Sequence, residues 1–572
     1  MSWHTPSRAW ASGPWTLALR GDELADISFD GRVALRSIRA VVRDRDWETA
    51  ALVVDDIVED DTLQLHVHTE GLGADLAGTL RVSVTASRLT AQLDLLVRDE
   101  FWTNRTGLVV LHPLGAAGAA VHVRHSDGTH ENTRFPTQIS PHQPVQDIAE
   151  LAWTSGGLDV DVRFAGDVFE MEDQRNWTDA SFKTYNRPLA LPFPYPLAAG
   201  SHVRQWVEVR ARATPGPAPA APADIVVLEE GAAFPEIVLG AATAPDPAPR
   251  VQPVGTAVLV ELDLATANWR AALERASTAG LPLDVRFVLA DADPAAIVAG
   301  AHALRGRPLA RVSAFWPTGP ARHVSDGAAT AALRTALAEA GITVAVVGGA
   351  RSHFTELNRE RHRLPDDLDG IVFSITPLFH SLGTEQLVES LAVQRLIAAQ
   401  AAGHAGGAPV FVGPVTLRPH FNDVATTPPP MPAHDDLREG YGPQLIDADD
   451  HRQDAAELAA WLIASAAALA VPGVAGISFF EEWGPRGIRA ADGHDLPVAA
   501  AVRALAALHG TRLLHGTSPD GLVWAIGGAD DEGETVLVAN LDDVARTLDV
   551  RTPRGTVGTV LEPGGWTRLP TD

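Results

Sequence analysis

The sequence predicts a multidomain α/β plus β protein, with an N-terminal β-sandwich over residues 1–212, a central (β/α)8 TIM barrel over 225–510 and a small C-terminal β domain over 511–572. Three observations predict this architecture. The 572 residues are too many for one ordinary hydrophobic core. Both ends of the chain alternate polar and apolar residues, whereas the middle alternates short apolar runs with Ala- and Leu-rich segments of helical period. A Pro/Ala-rich run at 213–224 predicts a semi-rigid linker between the first two regions.

The N-terminal region follows a period of two. Runs such as 63–68 and 93–97 place an apolar residue at every second position, and Gly, Asp and Asn turns separate them. This pattern is typical of a β-sandwich. The pairs His66–x–His68 and His122–x–x–His125 lie on the same alternation, so we interpret them as exposed strand histidines and not as metal ligands.

Eight short apolar runs in the middle region predict the barrel strands, at 236–240, 257–262, 283–289, 309–315, 342–347, 370–375, 409–414 and 474–480. Helical stretches at 265–279, 328–340, 385–402 and 453–470 lie between them. An open doubly wound sheet is the alternative, but no Gly-x-Gly-x-x-Gly turn follows any of these strands. Alternation returns at 522–526, 535–539 and 557–561 and predicts the C-terminal β domain.

Composition and charge exclude several classes of function. With 46% hydrophobic and 20% charged residues, the chain reads as a soluble globular protein. A net charge of −27 argues against nucleic acid or an anionic membrane as a partner, since both require a basic face. The absence of cysteine excludes disulfides, thiolate nucleophiles and Cys-ligated metals. The N-terminal residues lack the apolar core of a signal peptide, so a cytoplasmic location is expected.

One uncharged segment has the length of a membrane span. Residues 461–480 carry no charge, but Pro472 and Gly473 divide the segment into an Ala-rich half and a β-type half. We therefore predict a buried helix, a turn and a buried strand.

Polar residues follow four consecutive predicted strands. In a barrel of this kind the active site lies at the carboxyl ends of the strands, so these residues are candidates for it. Any single one could instead cap the following helix. The candidates are His353, Glu356, Asn358 and Arg359 after the fifth strand, Thr376, His380 and Ser381 after the sixth, Thr416, Arg418, His420 and Asn422 after the seventh, and Glu481, Glu482, Trp483 and Arg486 after the eighth.

A second candidate lies in the N-terminal region. Residues 169–185 combine acids, bases, amides and aromatic rings within an otherwise alternating domain. Such a loop suits a polyhydroxylated ligand, since rings contact sugar faces and charged groups contact hydroxyls. The alternative is a network that ties the loop to a neighbouring domain. The residues concerned are Glu172, Arg175, Asn176, Trp177 and Tyr185.

The segment 169–185, continued by 186–194, resembles the D-apionate lactonase family of bacterial sugar-acid catabolism. Further matching pieces lie at 104–107 with 111–113, 135–136 with 139–144, 354–359 and 414–419. The resemblance spans about residues 100–490 and implies a lactone hydrolase with a TIM-barrel middle domain. The loops at 377–385 and 482–485 depart from the family pattern that we expect.

The resemblance places the strand-end acid of the family on Glu481. Alternation within the strand leaves the choice open, because inward-facing Gly476 and Ser478 would favour Glu482. Opening a lactone requires an activated water, a group that takes up the oxyanion charge and an acid for the ring oxygen. We assign catalysis to Glu481, Glu356 and His380. We assign substrate binding to Asn358, Arg359, Arg418, Glu482 and Arg486, together with Glu172, Arg175, Asn176, Trp177 and Tyr185.

Two alternatives to a lactonase stay open, a glycoside hydrolase with paired carboxylates and a non-catalytic carbohydrate-binding protein. The fourth strand ends at 315–319 without an acid, which is unlike the large retaining glycosidase clan. No Gly-x-Ser-x-Gly, His-Glu-x-x-His or phosphate-loop motif is present. We expect a small sugar-acid lactone or related carbohydrate as partner, and no cofactor, although the residues do not exclude a divalent metal ion.

Overall fold

The computed structural model describes residue 3 and residues 5–215, 224–290 and 294–571. Most of the predicted linker, residues 216–223, lies outside the described residues. The described chain contains an N-terminal sheet, a closed ring of parallel strands with helices, and a C-terminal sheet.

Eighteen strands precede the linker, and sixteen of them form one sheet in the order β1-β2-β3-β4-β10-β16-β15-β13-β14-β18-β8-β7-β6-β5, with β11 and β12 attached at β13. The strands are β1 (Arg8–Ser12), β2 (Trp15–Arg20), β3 (Glu23–Phe29), β4 (Arg32–Arg43), β5 (Ala51–Glu59), β6 (Leu63–Glu70), β7 (Leu76–Thr85), β8 (Arg88–Val97), β9 (Phe101–Thr103), β10 (Arg105–Leu111), β11 (Ala120–His125), β12 (His130–Arg134), β13 (Val145–Ser155), β14 (Leu158–Ala165), β15 (Phe169–Asp173), β16 (Phe182–Asn186), β17 (Tyr195–Leu197) and β18 (His202–Ala213).

The alternation read from the sequence sets the faces of this sheet. In β6, Leu63, Leu65 and Val67 are buried, whereas the residues between them are partly exposed. The predicted β structure of the region is confirmed. Its arrangement as a sandwich stays a prediction.

The barrel strands are β20 (Glu236–Gly240), β21 (Val258–Asp263), β22 (Leu283–Val288), β23 (Leu309–Phe315), β24 (Ala345–Val346), β25 (Gly348–His353), β26 (Ile371–Ile375), β27 (Val410–Val415) and β28 (Val474–Glu481). All pair in parallel, and β20 pairs with both β21 and β28. Because β24 pairs with β23 and β25 pairs with β26, these two consecutive pieces together occupy the fifth position. The eight predicted strand positions are confirmed.

The fifth strand continues six residues beyond its predicted end at 347 and reaches His353. The sequence predicts that the strand ends there because Gly348 and Gly349 follow. In the structure, Gly349 has φ +142°, and a Cβ at this position would lie 2.2 Å from the carbonyl oxygen of Val372. Glycine therefore permits the close approach of β25 to β26 and does not end the strand.

The described residues contain seven α-helices: α1 (Trp269–Ser277), α2 (Pro294–Ala303), α3 (Gly327–Glu339), α4 (Phe354–Glu360), α5 (Thr384–His404), α6 (Glu457–Leu469) and α7 (Val498–Ala506). Helices α1, α3, α5 and α6 correspond to the four predicted stretches, and α2, α4 and α7 are additional. Helix α6 ends before Pro472 and β28 begins after Gly473, as predicted for the uncharged segment. No helix among the described residues is long and apolar enough to cross a membrane.

The C-terminal sheet has the order β33-β32-β19-β29-β30-β31-β34. Its strands are β19 (Ile225–Ala233), β29 (Arg512–Gly516), β30 (Val523–Ala529), β31 (Glu534–Asn540), β32 (Arg546–Arg551), β33 (Thr556–Leu561) and β34 (Trp566–Thr571). Strand β19 pairs with β29 and β32, so residues 225–233 belong to this sheet and the predicted start of the barrel at 225 is corrected. The physical reason is its alternation, which buries Val226 and Leu228 beside Leu514.

Candidate active site

A cavity of about 1290 Å³ lies at the carboxyl ends of the barrel strands. Strand-end residues form its base, and loop residues within 418–432 and 441–448 contribute to its wall. The N-terminal domain also contributes, through Arg43 and the loop residues 44–49. The cavity is therefore built by two domains, at the end of the barrel where active sites of this fold lie.

The loop at 44–49 is fixed to the barrel by one carboxylate. Asp46 accepts hydrogen bonds from the backbone N–H and hydroxyl groups of Thr426 (2.8 and 2.8 Å) and Thr427 (2.9 and 2.5 Å). These four donors outweigh partial desolvation and lower the pKa of Asp46 to about 2. The side-chain amide of Asn422 donates to the backbone oxygen of Asp46 at 2.9 Å. Asp46 thus holds the N-terminal loop over the barrel mouth.

Glu481 lines the cavity, and Glu482 does not. A bulge decides which of the two acids faces inward. The register with β20 runs from Leu239–Phe479 to Gly240–Glu481 and skips Phe480, whose φ is +42°. Because the extra residue reverses the alternation, the inward side passes from Ser478 to Glu481.

The Glu481 carboxylate is engaged on both oxygens. It accepts from the backbone N–H of Thr243 at 2.9 Å, from the Thr243 hydroxyl at 2.8 Å and from Nε of Arg486 at 3.0 Å. Arg486 also donates to the Thr243 hydroxyl (2.7 Å) and to Oε1 of Gln444 (3.1 Å), and it forms an ion pair with Asp449. The two sequence-predicted residues Glu481 and Arg486 are thus brought together as a buried ion pair, in which Glu481 lines the cavity and Arg486 lies behind it, outside the lining.

Glu482 is 6% exposed and lies outside the cavity lining. Its backbone N–H donates to the carbonyl of Gly240 at 2.9 Å. Burial raises the pKa of its carboxyl to about 7, and the charge of Arg489 opposes this effect only in part. The guanidinium of Arg489 is occupied by Asp495 and by the carbonyl of Gln252.

His380 follows β26 in the sequence and lines the cavity, and residues of the N-terminal motif hold its ring. Its Nδ1 lies 2.6 Å from Oδ2 of Asp179 and 3.3 Å from the side-chain amide of Gln174. Burial and then the charges of Lys183 and Arg43 place the pKa of His380 well below its usual value, whereas burial places the pKa of Asp179 well above. Both directions favour the uncharged forms of the two groups over an ion pair.

The five predicted binding residues of the N-terminal motif do not line the cavity. Trp177 stacks on Phe379 with ring centroids 5.0 Å apart and planes at 9°. Its indole N–H donates to Glu172, which also pairs with Lys183 at 2.9 Å. Arg175 forms an ion pair with Asp173 at 2.7 Å, Asn176 accepts from Asn358 at 2.9 Å, and Tyr185 donates to Glu170 at 2.5 Å. This placement agrees with the interpretation of the motif as a domain interface.

Asn358 and Arg359 belong to the same interface. Asn358 donates to the carbonyl of Ile139 at 3.1 Å, and Nε of Arg359 donates to the carbonyl of Pro141 at 2.8 Å. Glu356, one helical turn away, is half-buried and does not line the cavity. Burial, followed by the charge of Asp423, raises the pKa of Glu356 to about 7.

Arg418 lines the cavity, and its Nε has no hydrogen-bond partner among the described residues. The same holds for Nε2 of His420 and for Nε and Nη1 of Arg286, two further lining residues. Arg286 was not predicted. Its signal in the sequence is a charge within strand β22, whose other residues except Asp284 are apolar, and it is 2% exposed there.

Three other cavity residues form a chain of hydrogen bonds. Nδ1 of His353 lies 3.2 Å from Oδ2 of Asp423, and its Nε2 lies 2.5 Å from the hydroxyl of Thr376. The sequence placed His353 and Thr376 at strand ends but gave them no role, and it missed Asp423.

No group of three or more His, Asp or Glu residues within the described part of the chain is arranged to hold a metal ion. His66 and His68 lie on β6, and His122 and His125 lie on β11, in the N-terminal sheet and not at the barrel mouth.

Comparisons with known proteins agree with this architecture. The N-terminal domain of D-apionate lactonase matches residues 2–214, and the TIM barrel domain of D-apionate lactonase matches residues 235–510. The chain belongs to the D-apionate lactonase family. This confirms the resemblance seen in the sequence. A D-apionate lactonase of Brucella anthropi is 29% identical over 463 residues, which cover 71% of this chain and 72% of that protein.

Solved structures are only distantly similar. An endoxylanase from Clostridium papyrosolvens is 9% identical, with a TM-score of 0.40, over 61% of this chain and 99% of its own. A putative aldose 1-epimerase of Escherichia coli K12 is 12% identical, with a TM-score of 0.26, over 36% of this chain and 99% of its own. Likenesses at this level carry no argument about activity.

Proposed function

We propose that the chain is a hydrolase that opens the lactone ring of a sugar acid, of the D-apionate type, by addition of water. The observation that carries this proposal is a two-domain cavity at the carboxyl ends of the strands in a barrel of the D-apionate lactonase family. The name of the Brucella anthropi relative supplies the substrate class.

The unpartnered donors in the cavity suit this reaction. Attack on a lactone carbonyl places negative charge on the carbonyl oxygen, and donors aimed at that oxygen beforehand stabilise the transition state. Arg286, Arg418 and His420 line the cavity, and each has a buried N–H group or ring nitrogen without a hydrogen-bond partner among the described residues. A polyhydroxylated lactone supplies the acceptors and hydroxyl groups that would satisfy them.

The residues assigned from the sequence take different places in the proposal. His380, whose ring is held by Asp179 and Gln174, is positioned to hydrogen-bond to the ring oxygen or to a hydroxyl group of the lactone. Among the residues assigned from the sequence, Glu481 is the one best suited to act as the base, and its ion pair with Arg486 fixes its position. Glu356 lies outside the cavity lining and acts on the site through its charge interaction with Asp423.

A panel of aldonolactones that includes D-apionolactone tests the proposal, with acid release followed by a pH indicator. EDTA-treated and metal-supplemented samples run in parallel. We expect release above the spontaneous rate, and Arg418→Met is expected to lower kcat/KM by about 10²–10³-fold, as for the loss of an oxyanion donor. Arg212→Met, at an arginine that is 81% exposed on the N-terminal sheet, is the matched control and is expected to retain full activity.

Nitrophenyl glycosides in the same experiment test the glycoside hydrolase alternative. Turnover of a glycoside with no release from any lactone would overturn the proposal. Saturable lactone binding without turnover would instead identify a carbohydrate-binding protein.

A further inference from the structure

Three strand ends of the barrel meet in one chain of hydrogen bonds. Thr376 follows β26, His353 ends β25, and Asp423 lies in the loop after β27. The Thr376 hydroxyl is 2.5 Å from Nε2 of His353, and Nδ1 of the same ring is 3.2 Å from Oδ2 of Asp423. All three residues line the cavity. Their order, hydroxyl to imidazole to carboxylate, is that of an activated nucleophile with its base.

The hydrogen bonds assign the tautomer of His353. A carboxylate can only accept, so the ring nitrogen that faces Asp423, Nδ1, carries the hydrogen. The other nitrogen, Nε2, then presents a lone pair, and the Thr376 hydroxyl donates its hydrogen to it. The hydroxyl hydrogen therefore already points at a base, which is the arrangement that a nucleophilic hydroxyl requires before attack.

The surroundings hold the ring in place. His353, Thr376 and Asp423 are 2%, 2% and 1% exposed, respectively. Trp177 and Phe379 pack on the imidazole with ring centroids at 5.2 and 4.8 Å. The imidazole cannot rotate without disturbing both rings, so its two nitrogens keep their separate partners.

Asp423 is suited to support a positive charge on His353. Burial alone would raise the pKa of its carboxyl, but the electrostatic attraction of the His353 ring and their hydrogen bond outweigh burial and keep the pKa below its usual value. His323 and Arg322 act in the same direction. A buried ionised carboxylate on Nδ1 stabilises the imidazolium that forms when Nε2 takes up a proton.

We propose that the hydroxyl of Thr376 is the nucleophile that opens the lactone, that His353 is its base and that Asp423 is the positioning residue for His353. This inference rests on the proposed function. It deepens that function, because it replaces direct attack of water by a threonine ester that water then hydrolyses, and it assigns the role of base to His353 instead of Glu481.

The two half-reactions balance in atoms and charge. In the first, Oγ1 of Thr376 bonds to the lactone carbonyl carbon, the hydroxyl proton passes to Nε2 of His353, and the bond between that carbon and the ring oxygen breaks. The imidazolium returns the proton to the ring oxygen, which leaves as a hydroxyl group of the opened acyl chain. In the second, water attacks the ester carbon, its proton passes to Nε2 and on to the departing Oγ1, and the sugar acid is released.

Direct attack of water with His353 as base is less well suited to this geometry. Nε2 is already occupied by the Thr376 hydroxyl at 2.5 Å, so a water molecule could reach that lone pair only after Thr376 moved. Threonine is β-branched, and its side chain is restricted about χ1.

The first experiment combines kinetics on D-apionolactone with peptide mass mapping of the acid-quenched reaction. We expect wild-type protein to carry an acyl group of the mass of the lactone on Thr376. Thr376→Val, which keeps the shape of the side chain without its hydroxyl, and Thr376→Ala are both expected to lower kcat by at least about 10³-fold. Thr376→Ser is expected to retain activity within about tenfold.

Thr335→Val is the matched control, because it makes the same substitution away from the site. Thr335 is exposed on α3, outside the cavity lining, and has no part in the relay. We expect its kcat to stay within about twofold of the wild-type value. Full turnover by a correctly folded Thr376→Val variant, or an acyl group on a residue other than Thr376, would overturn the inference.

A second probe separates this inference from the proposed function. With p-nitrophenyl acetate, we expect acetylation of Thr376 that is lost in His353→Ala and strongly reduced in Asp423→Asn, in which an amide in place of the carboxylate favours the other tautomer. If no lactone is opened but Thr376 is acetylated in this dependent way, the proposed substrate class fails and the relay stands. If lactones are opened but Thr376 takes up neither acyl group, the relay fails and the lactonase activity stands.

Discussion

Glu482 gives a prediction whose magnitude follows from its surroundings. Its carboxyl is 6% exposed, and burial raises its pKa to about 7 from the ordinary 4.5. Between these two pH values the folded state holds the proton, whereas the unfolded state releases it. The contribution of this group to stability is therefore fully present below about pH 4.5 and is lost as the pH rises through about 7. A pKa change from 4.5 to about 7 corresponds to about 3 kcal/mol.

Glu482→Gln tests this reasoning, because glutamine keeps the shape of the side chain and does not titrate. Urea unfolding at pH 5 and pH 8.5, followed by tryptophan fluorescence, measures the free energy of unfolding of both proteins. We expect wild-type protein to lose about 3 kcal/mol more than the variant between these pH values. Glu532→Gln, at an exposed position in the turn before β31, is the control and should follow the wild type. Parallel pH dependences of wild type and Glu482→Gln would refute the buried, protonated state of this acid.

The remaining predictions concern the cavity and the parts of the N-terminal domain that contact the barrel. Glu481→Gln is expected to lower lactone turnover and to lower the free energy of unfolding by about 1.5–3 kcal/mol, because Arg486 loses its buried ion partner and keeps only the partly exposed Asp449; a variant with unchanged stability and turnover would contradict this. Asp46→Ala removes four hydrogen bonds to the loop at 426–427, so steady-state kinetics should show a raised KM with unchanged barrel stability, and an unaltered KM would argue against its role. Trp177→Leu breaks the stack on Phe379, worth about 0.5–1.5 kcal/mol beyond burial, and limited proteolysis should cut the interdomain region faster; equal cleavage rates would count against the interface role.

The barrel strands could be predicted from the sequence because parallel strands covered on both sides are continuous apolar runs. Strand β26, for example, has the sequence Ile-Val-Phe-Ser-Ile and is buried at every position. The same reasoning failed at residues 225–233, where one short alternating strand precedes the barrel. Only the folded chain shows that β19 lies inside the C-terminal sheet, between β32 and β29, because its partners follow the barrel in the sequence.

The candidate site could be predicted in location but not in detail. The rule for strand ends selected Glu481, His380 and Arg418, which do line the cavity. Which of Glu481 and Glu482 faces the cavity depends on a bulge at Phe480, whose φ is +42°. A phenylalanine gives no sign in the sequence of such a backbone conformation, so the bulge could not be predicted. Asp423 lies in a long loop without periodicity, so only the folded chain shows that it reaches His353.

The composition of the N-terminal motif could not show whether it binds a sugar or forms a domain interface. A sugar site and a buried interface both require polar groups with partners beside flat aromatic faces. Trp177 satisfies this description by stacking on Phe379, and its edge packs on His353 and His380. The motif therefore contacts two candidate active-site histidines without lining the cavity itself. Two cavity histidines, His353 and His380, depend on the motif for their orientation, so the N-terminal domain is needed to complete the active site. We expect the isolated barrel to lack the loop at 44–49 that covers its mouth, and to lose the orientation of both imidazole rings.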